Sequence, residues 1–463
     1  MDKDYDVDLA VIGSGGAAMS AAIAARQAGA SVVLIERATL GGTCVNIGCV
    51  PSKTLLAAAG ARHSAATNPF AGVPTSAGGV DLAALIAQKD ELVADMRQAK
   101  YADVAAAYGF EVRPGHARFL DRDTMAVNGE PLRARAYLLA TGAEPARPDL
   151  PGLGAVDCLT STTAMEQTEL PESLVVIGGG FVGMEQAQLF AHLGARVTIV
   201  GRLAPHAEPE LTEILRRVFA DDGITVFEEH ATEVRSDSGG VLVTTASGHE
   251  VRGQRLLVAT GRRARTEALN LDAGDVKTDG RGFVAVDEHQ RTSNPRVFAA
   301  GDVSGAPQYV YVAAAGGRVA ALNALAGSPA EGQASIDYTG LPAVIFTRPQ
   351  LASAGLTETE AIERGHVCEC RVLGFDDVPR ALVNRDTRGA LKVVADAETG
   401  RVLGVHALGE GAGEIMLAAT YAIKASMTVD EVADTWAPYL TMAESLRIAA
   451  GLFRNQMPTS CCA

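Results

Sequence analysis

DLAVIGSGGAAMSAAIAARQAGASVVLIE, from Asp8 to Glu36, reads as a buried strand, a glycine turn, an Ala-rich apolar helix, a glycine stop and a second buried strand. LVVIGGGFVGMEQAQLFAHLGARVTIVGR, from Leu174 to Arg202, repeats that pattern. Gly13, Gly15 and Ala18 stand at the fingerprint positions of the first copy, and Gly178, Gly180 and Gly183 at those of the second. Both sets meet one physical demand: a tight turn, close approach of backbone to a pyrophosphate, and close packing of helix on strand. One such motif is a weak signal. Two copies, each between a strand and a helix, define two Rossmann-like dinucleotide-binding units.

The ends of the second strands tell the copies apart. Glu36 lies 23 residues after Gly13, where a carboxylate can hold an adenosine ribose hydroxyl. Gly201 takes the same offset after Gly178, and Arg202 follows it. A guanidinium there suits a 2′-phosphate. The first copy therefore reads as an FAD site and the second as an NADPH site. The plain alternative for Arg202 is a solvated loop side chain.

Length and composition agree with this plan. The chain has 463 residues, 48% of them hydrophobic and 21% charged, which supplies about three cores at the usual ~150 residues per domain. Forty Lys and Arg against 55 Asp and Glu leave a net charge of −15, without the basic footprint that nucleic acid demands. The opening MDKDYDVD has no apolar signal-peptide core, and no run approaches the ~18 apolar residues that cross a bilayer. Seven cysteines, an odd count without a secretion signal, point to a reducing compartment rather than a disulfide scaffold. The sequence reads as cytoplasmic and soluble, with no nucleic-acid or membrane partner.

Between the two copies stands GGTCVNIGCVPSKTLLAAA, Gly41 to Ala59. Cys44 and Cys49 are followed by Pro51, Ser52, Lys53 and an apolar helical run. Two thiols this close can form a disulfide across a short loop, and a helix start and the Lys53 cation both favour a thiolate. A metal site is the competing reading, but no second Cys/His pair at zinc-ligand spacing accompanies this one. Placed directly after an FAD half-site, the pair reads as a flavin-coupled redox disulfide.

GGTCVNIGCVPSK resembles the active-site motif of the pyridine nucleotide–disulfide oxidoreductase family, and the resemblance covers essentially the whole chain. It implies an α/β fold with Rossmann-like FAD and NADPH domains and an α+β C-terminal dimerisation domain. The expected bounds are 1–153 and 270–335 for FAD, 154–269 for NADPH and 336–463 for the interface. ATG at Ala140–Gly142 and at Ala259–Gly261 matches the family's returns from each nucleotide domain, which puts Thr141, Gly142 and Gly261 at the cofactors. TSNPRVFAAGD, Thr292 to Asp302, is similar to the second FAD motif, in which Asp302 holds the ribityl chain. By the same similarity Lys53 and Glu185 pair beside the flavin ring, and Gly42, Thr43, Ala117 and Val310 line the FAD. Phe181 stands at the nicotinamide, where relatives carry Tyr. For Ala117, Val310 and Phe181 ordinary packing explains the residue equally well.

The C-terminal end bears on the substrate. Disulfide reductases of the family use a His–Glu pair, in HPTxxE, to protonate the departing thiol. Here the stretch is APYLTMAES, and aligning Thr441 and Glu444 puts Tyr439 in place of the His. An unperturbed Tyr, with a pKa of ~10 against ~6.5 for His, is a poor proton shuttle near neutrality. This argues against glutathione and lipoamide disulfides. His406 and the other histidines fall outside the motif and read as structural.

The chain ends Thr459, Ser460, Cys461, Cys462, Ala463. Adjacent thiolates can embrace a soft metal ion, whereas as a vicinal disulfide they would form a strained, oxidising ring. Together with PYLTMAES, this ending resembles the metal-reducing branch of the family, which implies reduction of Hg(II) to Hg(0) by NADPH through FAD. That reaction takes two electrons and no proton, so it has no need of the missing His. The resemblance implies a homodimer with an active site shared across subunits. Cys461 and Cys462 of one subunit collect Hg(II) from exchanging thiols and pass it to Cys44 and Cys49 of the other. Cys49 lies next to the flavin, and Tyr439 guides the transfer. Two alternatives stay open: a thioredoxin-type disulfide reductase using the terminal pair, and a non-enzymatic thiol protein that sequesters soft metal.

Three cysteines remain. Cys368 and Cys370 are i,i+2 in an expected strand and so share a face, as soft-metal ligands or as spare thiols. Cys158 reads as a small hydrophobe. The chain starts almost directly with the first FAD strand, so the N-terminal metal-binding module of some relatives is expected to be absent.

Overall fold

The computed structural model describes residues 5–326 and 333–454. Strand Val7–Ile12 sits at the centre of a five-stranded parallel sheet, in the order Val297–Ala299, Ala134–Leu139, Val7–Ile12, Val32–Glu36, Glu111–Pro114. Its inner strands are apolar on both faces because both are covered, while the edge strand Glu111–Pro114 is polar and partly exposed. On one side helices Gly16–Gln27 and Val310–Ala326 pack through alanine and glycine, close enough that a Cβ on Gly317 would lie 2.0 Å from the Ala17 carbonyl oxygen. The Ala-rich run is thus a close-packing surface. On the other side Ala10, Ile12, Val33 and Ile35 meet a three-stranded antiparallel sheet built from Ala117–Phe119, Met125–Val127 and Glu130–Leu132.

The second copy builds a four-stranded parallel sheet, in the order Thr225–Phe227, Arg196–Val200, Ser173–Ile177, Arg255–Val258. Helices Phe181–Leu193 and Pro209–Asp221 cover one face, and a three-stranded antiparallel sheet covers the other. The two copies share one turn geometry. Gly13 has φ +112° and Gly178 φ +114°, and a Cβ on either would lie 2.3 Å from the carbonyl oxygen of Ala140 or Ala259 respectively. Each ATG motif therefore returns to its own glycine turn, which only glycine can occupy. Ala143–Pro145 and Arg262–Ala264, just after those motifs, pair as an antiparallel ribbon. Ala264 and Leu269, which the expected bounds assign to the NADPH domain, pack in the core of the first unit. Leu153, at the expected end of the first FAD segment, packs in the core of the second unit.

The C-terminal unit is a five-stranded antiparallel sheet, in the order Pro342–Ile345, Gln350–Gly355, Val402–Gly409, Ala390–Asp396, Cys368–Gly374. Helices Ala412–Lys424, Val429–Asp434 and Glu444–Gly451 complete its core. Among the described residues, no helix is long and apolar enough to cross a membrane.

Candidate redox and nucleotide sites

Cys44 lies in the short helix Gly42–Ile47, and Cys49 is the first residue of helix Cys49–Ala66, with Gly48 at the junction. Both thiols are free. The hydrogen bond from the Cys44 side chain lowers the Cys49 pKa to about 7, with further help from the Lys53 cation and the backbone N–H at the helix start. The same hydrogen bond, burial and the Cys49 charge push Cys44 far above its ordinary range. These shifts favour the thiolate at Cys49, with Cys44 as its S–H donor.

Lys53, one turn along the same helix, donates from Nζ to Glu185 Oε2 at 2.7 Å. Glu185 is buried and belongs to helix Phe181–Leu193, so the pair joins the helices of the two nucleotide units. Its other oxygen, Oε1, accepts the Phe346 N–H at 2.9 Å, and the Lys53 ammonium sits 4.7 Å from the Phe346 ring centroid. One carboxylate therefore fixes three units around the thiol pair. Sequence reading missed Phe346, which no local pattern marks. It also missed Tyr101, Tyr309 and Tyr311. Burial and then the neighbouring Cys44 and Cys49 push Tyr101 up to about 12. Burial, Tyr309 and Cys49 push Tyr311 higher still. Phe181, Tyr309 and Tyr311 form an aromatic row, with centroids 6.3 Å apart across the first pair and 5.3 Å across the stacked second.

At the first glycine turn, Gly15 caps helix Gly16–Gln27 without a side-chain hydrogen bond, and the first turn carries no acid. Its backbone N–H groups are left to an anionic ligand. Glu36 accepts from Ser14 Oγ at 2.5 Å and from the Ala38 N–H at 2.8 Å, and Ser14 Oγ accepts the Gly41 N–H at 3.0 Å. The fingerprint is thereby tied to the start of the cysteine motif, where Gly42 stands against Gly15. Thr43 is half-buried beside Gly48. Val310 lies against Gly16 and is 38% exposed, so core packing does not account for it. Ala117, by contrast, is part of the core, as is Ala18. Thr141 Oγ1 donates to the Arg265 carbonyl at 2.8 Å, followed by Gly142.

Asp302 and Arg262, the residue after Gly261, approach to 3.5 Å. Burial raises the Asp302 pKa and lowers that of Arg262. Arg262 Nε is buried without a hydrogen-bond partner. An orphaned buried donor beside a half-buried carboxylate, next to an uncapped helix start, suits a flavin dinucleotide. At the second turn Gly180 likewise caps its helix without a side chain, and Gly183 is pressed against the Gly178 carbonyl. Arg202 is exposed beside Gly201. This turn suits a second dinucleotide.

The C-terminal unit holds the remaining expected residues. Tyr439 is 50% exposed in the loop between helices Val429–Asp434 and Glu444–Gly451. Glu444 is buried and accepts the Leu440 N–H at 2.8 Å. Trp436, in the same loop, is 97% exposed. His406 is buried, with Nε2 at 2.9 Å from the Leu356 carbonyl oxygen, and burial lowers its pKa, as a structural His requires. Cys158 packs against an apolar core as a small hydrophobe. Cys461 and Cys462 lie outside the described residues.

A paired thiol and thiolate between two dinucleotide turns define a flavin- and pyridine-nucleotide-dependent oxidoreductase. The chain belongs to the pyridine nucleotide-disulphide oxidoreductase family, matching it over residues 7–317 and matching the family's dimerisation domain over residues 341–450. Membership brings FAD and NADPH as cofactors and a homodimer as the assembly. More particularly, the chain is similar to the mercuric reductase of Streptomyces lividans, at 51% identity over 98% of each chain. It is 47% identical to that of Lysinibacillus sphaericus, over 100% of this chain and 85% of the relative. Among solved structures it resembles the HOCl-induced flavoprotein disulfide reductase RclA from Escherichia coli in its Cu(II) complex. That likeness has a TM-score of 0.86 and 28% identity over 96% of this chain and 99% of the other. LpdA from Mycobacterium tuberculosis gives a TM-score of 0.85 and 28% identity over 96% and 100%.

Proposed function

We propose that the protein reduces Hg(II) to Hg(0) with NADPH, in the reducing cytoplasm, as a detoxifying enzyme. The observation that carries this reading is the Cys44–Cys49 pair at the start of the helix that bears Lys53, in a chain that places Tyr439 where disulfide reductases need an acid–base His. When bound, FAD and NADPH supply the two electrons the metal needs.

The chain's own residues handle the ion. Cys461 and Cys462, contributed across the dimer, take Hg(II) from small thiols by exchange and offer it to the inner pair. The Cys49 thiolate attacks first. The thiolate it displaces takes the Cys44 proton, which frees Cys44 to become the second ligand. Two metal–sulfur bonds form for two broken, so the ion stays ligated throughout. Lys53, held by Glu185, stabilises the anionic pair. Because Hg(II) reduction consumes no proton at the metal, Tyr439 serves as a contact that guides transfer. Arg202 selects NADPH through its 2′-phosphate, and Phe181 gates the nicotinamide pocket.

A Cys461→Ala/Cys462→Ala double variant tests this route. It should lose Hg(II) turnover in excess thiol while NADPH still reduces its flavin at the normal rate. Undiminished turnover would remove the tail from the mechanism.

A further inference from the structure

Two cysteines stand outside the redox machinery. Cys368 and Cys370 lie on the edge strand Cys368–Gly374 of the C-terminal sheet, both half-buried and both free. Strand alternation puts their side chains on one face. The Cys370 thiol is hydrogen-bonded to Glu358, and the Cys368 thiol reaches the His366 carbonyl at 3.9 Å. Glu358 also binds the fully buried Lys392 at 2.7 Å, and Lys392 holds Glu208 at 2.8 Å and Glu210 at 2.9 Å. That cluster joins the C-terminal sheet to the first turn of helix Pro209–Asp221 and its cap.

Geometry separates the two chemistries open to such a thiol pair. Residues i and i+2 of a strand are about 6.8 Å apart, and their Cβ atoms are parallel. A disulfide requires Cβ atoms within roughly 4.5 Å of each other, so this pair cannot close one without breaking the strand. A thiophilic cation inserted between the sulfurs, at about 2.3 Å from each, spans ~4.6 Å of sulfur separation. Closing to that separation from the strand spacing takes about 1 Å of inward lean at each side chain and swings the Cys368 thiol off the His366 carbonyl. The strand suits a metal bridge.

We propose that Cys368 and Cys370 form a second, non-catalytic two-thiolate site for soft divalent cations. Loading proceeds by thiol exchange: a bis-thiolate complex gives up two small thiolates, which take the two cysteine protons, as two new metal–sulfur bonds form. No electron is transferred, and the ion is retained rather than reduced. Occupation also takes the Cys370 proton away from Glu358, at the edge of the Lys392 cluster.

The test counts metal on the full-length holoenzyme without NADPH, so it does not depend on turnover or on the proposed reaction. Protein loaded with HgCl2 is desalted into a cysteine buffer, and bound mercury is measured by mass spectrometry. Cys368→Ser/Cys370→Ser should retain one ion fewer per subunit than the wild type. Each single variant should lose that same whole ion, because one thiolate cannot hold it against excess cysteine. Peptide mapping should show both thiols shielded from iodoacetamide by the metal. Hg(II)-dependent NADPH oxidation in excess thiol should stay at the wild-type rate in the double variant. Equal metal counts in wild type and double variant, or equal labelling with and without metal, would overturn the proposal. A several-fold loss of turnover would overturn its non-catalytic character.

Discussion

Removing the Cys44 side chain should cost Cys49 most of its reactivity near neutrality. The hydrogen bond from Cys44 is the largest cause holding the Cys49 pKa down, to about 7, ahead of Lys53 and the backbone N–H. Burial opposes all three. In Cys44→Ala, Lys53 and the helix start are left alone against burial, and the pKa climbs back toward its ordinary value. At pH 7 a thiol of pKa 7 is about half ionised and one of pKa 9 about 1% ionised. Iodoacetamide should therefore label Cys49 up to ~50-fold more slowly in the variant at pH 7, with the two rates converging above pH ~9.5. Cys44→Ser keeps an O–H donor and should stay close to the wild type. The assay follows Cys49 alkylation across pH in chemically reduced, FAD-loaded protein, read by peptide mass spectrometry. Superimposed pH profiles for the Ala, Ser and wild-type proteins would refute the assignment of Cys44 as donor.

Arg202→Glu should weaken NADPH relative to NADH by ten-fold or more, because a guanidinium-to-phosphate contact becomes a repulsion; steady-state kinetics with both nucleotides checks it, and an unchanged ratio removes Arg202 from the site. Glu185→Gln leaves Lys53 without its counter-ion and should lower stability by about 1–2 kcal/mol, the modest end for a pair whose ammonium is a third exposed; thermal unfolding of the holoenzyme measures it. Acid sensitivity should trace in part to His63, stacked on His192 with ring centroids 3.8 Å apart beside Asp222. Burial holds its pKa at about 4, against 6.5 for the free group. Protons then bind the unfolded chain more readily across that window, so stability falls as pH drops from 6.5 toward 4, by up to about 3 kcal/mol. His63→Gln should flatten that slope in unfolding curves taken at several pH values.

A feature written in consecutive residues is legible in the sequence alone. Gly13 and Gly178 mark two nucleotide turns because the backbone there tolerates no side chain, and each turn sits between a strand and a helix of clear period. The Cys44–Cys49 motif is equally local. Lys53 and Glu185 stand 132 residues apart, so only a resemblance links them; neither spacing nor composition can. Phe346 is invisible in the sequence because neither its backbone N–H to Glu185 nor its ring against Lys53 leaves a local pattern. Tyr101 and Tyr311 escape for a related reason, since an aromatic looks like core until the fold brings it beside the thiols. The exposure of Trp436 beside Tyr439 is likewise unreadable, because exposure belongs to tertiary packing.

The central claim is the identity of the electron acceptor, and NADPH oxidation by the full-length holoenzyme decides it. With Hg(II) in excess small thiol, NADPH consumption should be rapid and matched mole for mole by volatile Hg(0). Glutathione disulfide and thioredoxin should give only background rates. Turnover of either disulfide without Hg(II)-dependent oxidation would contradict the account.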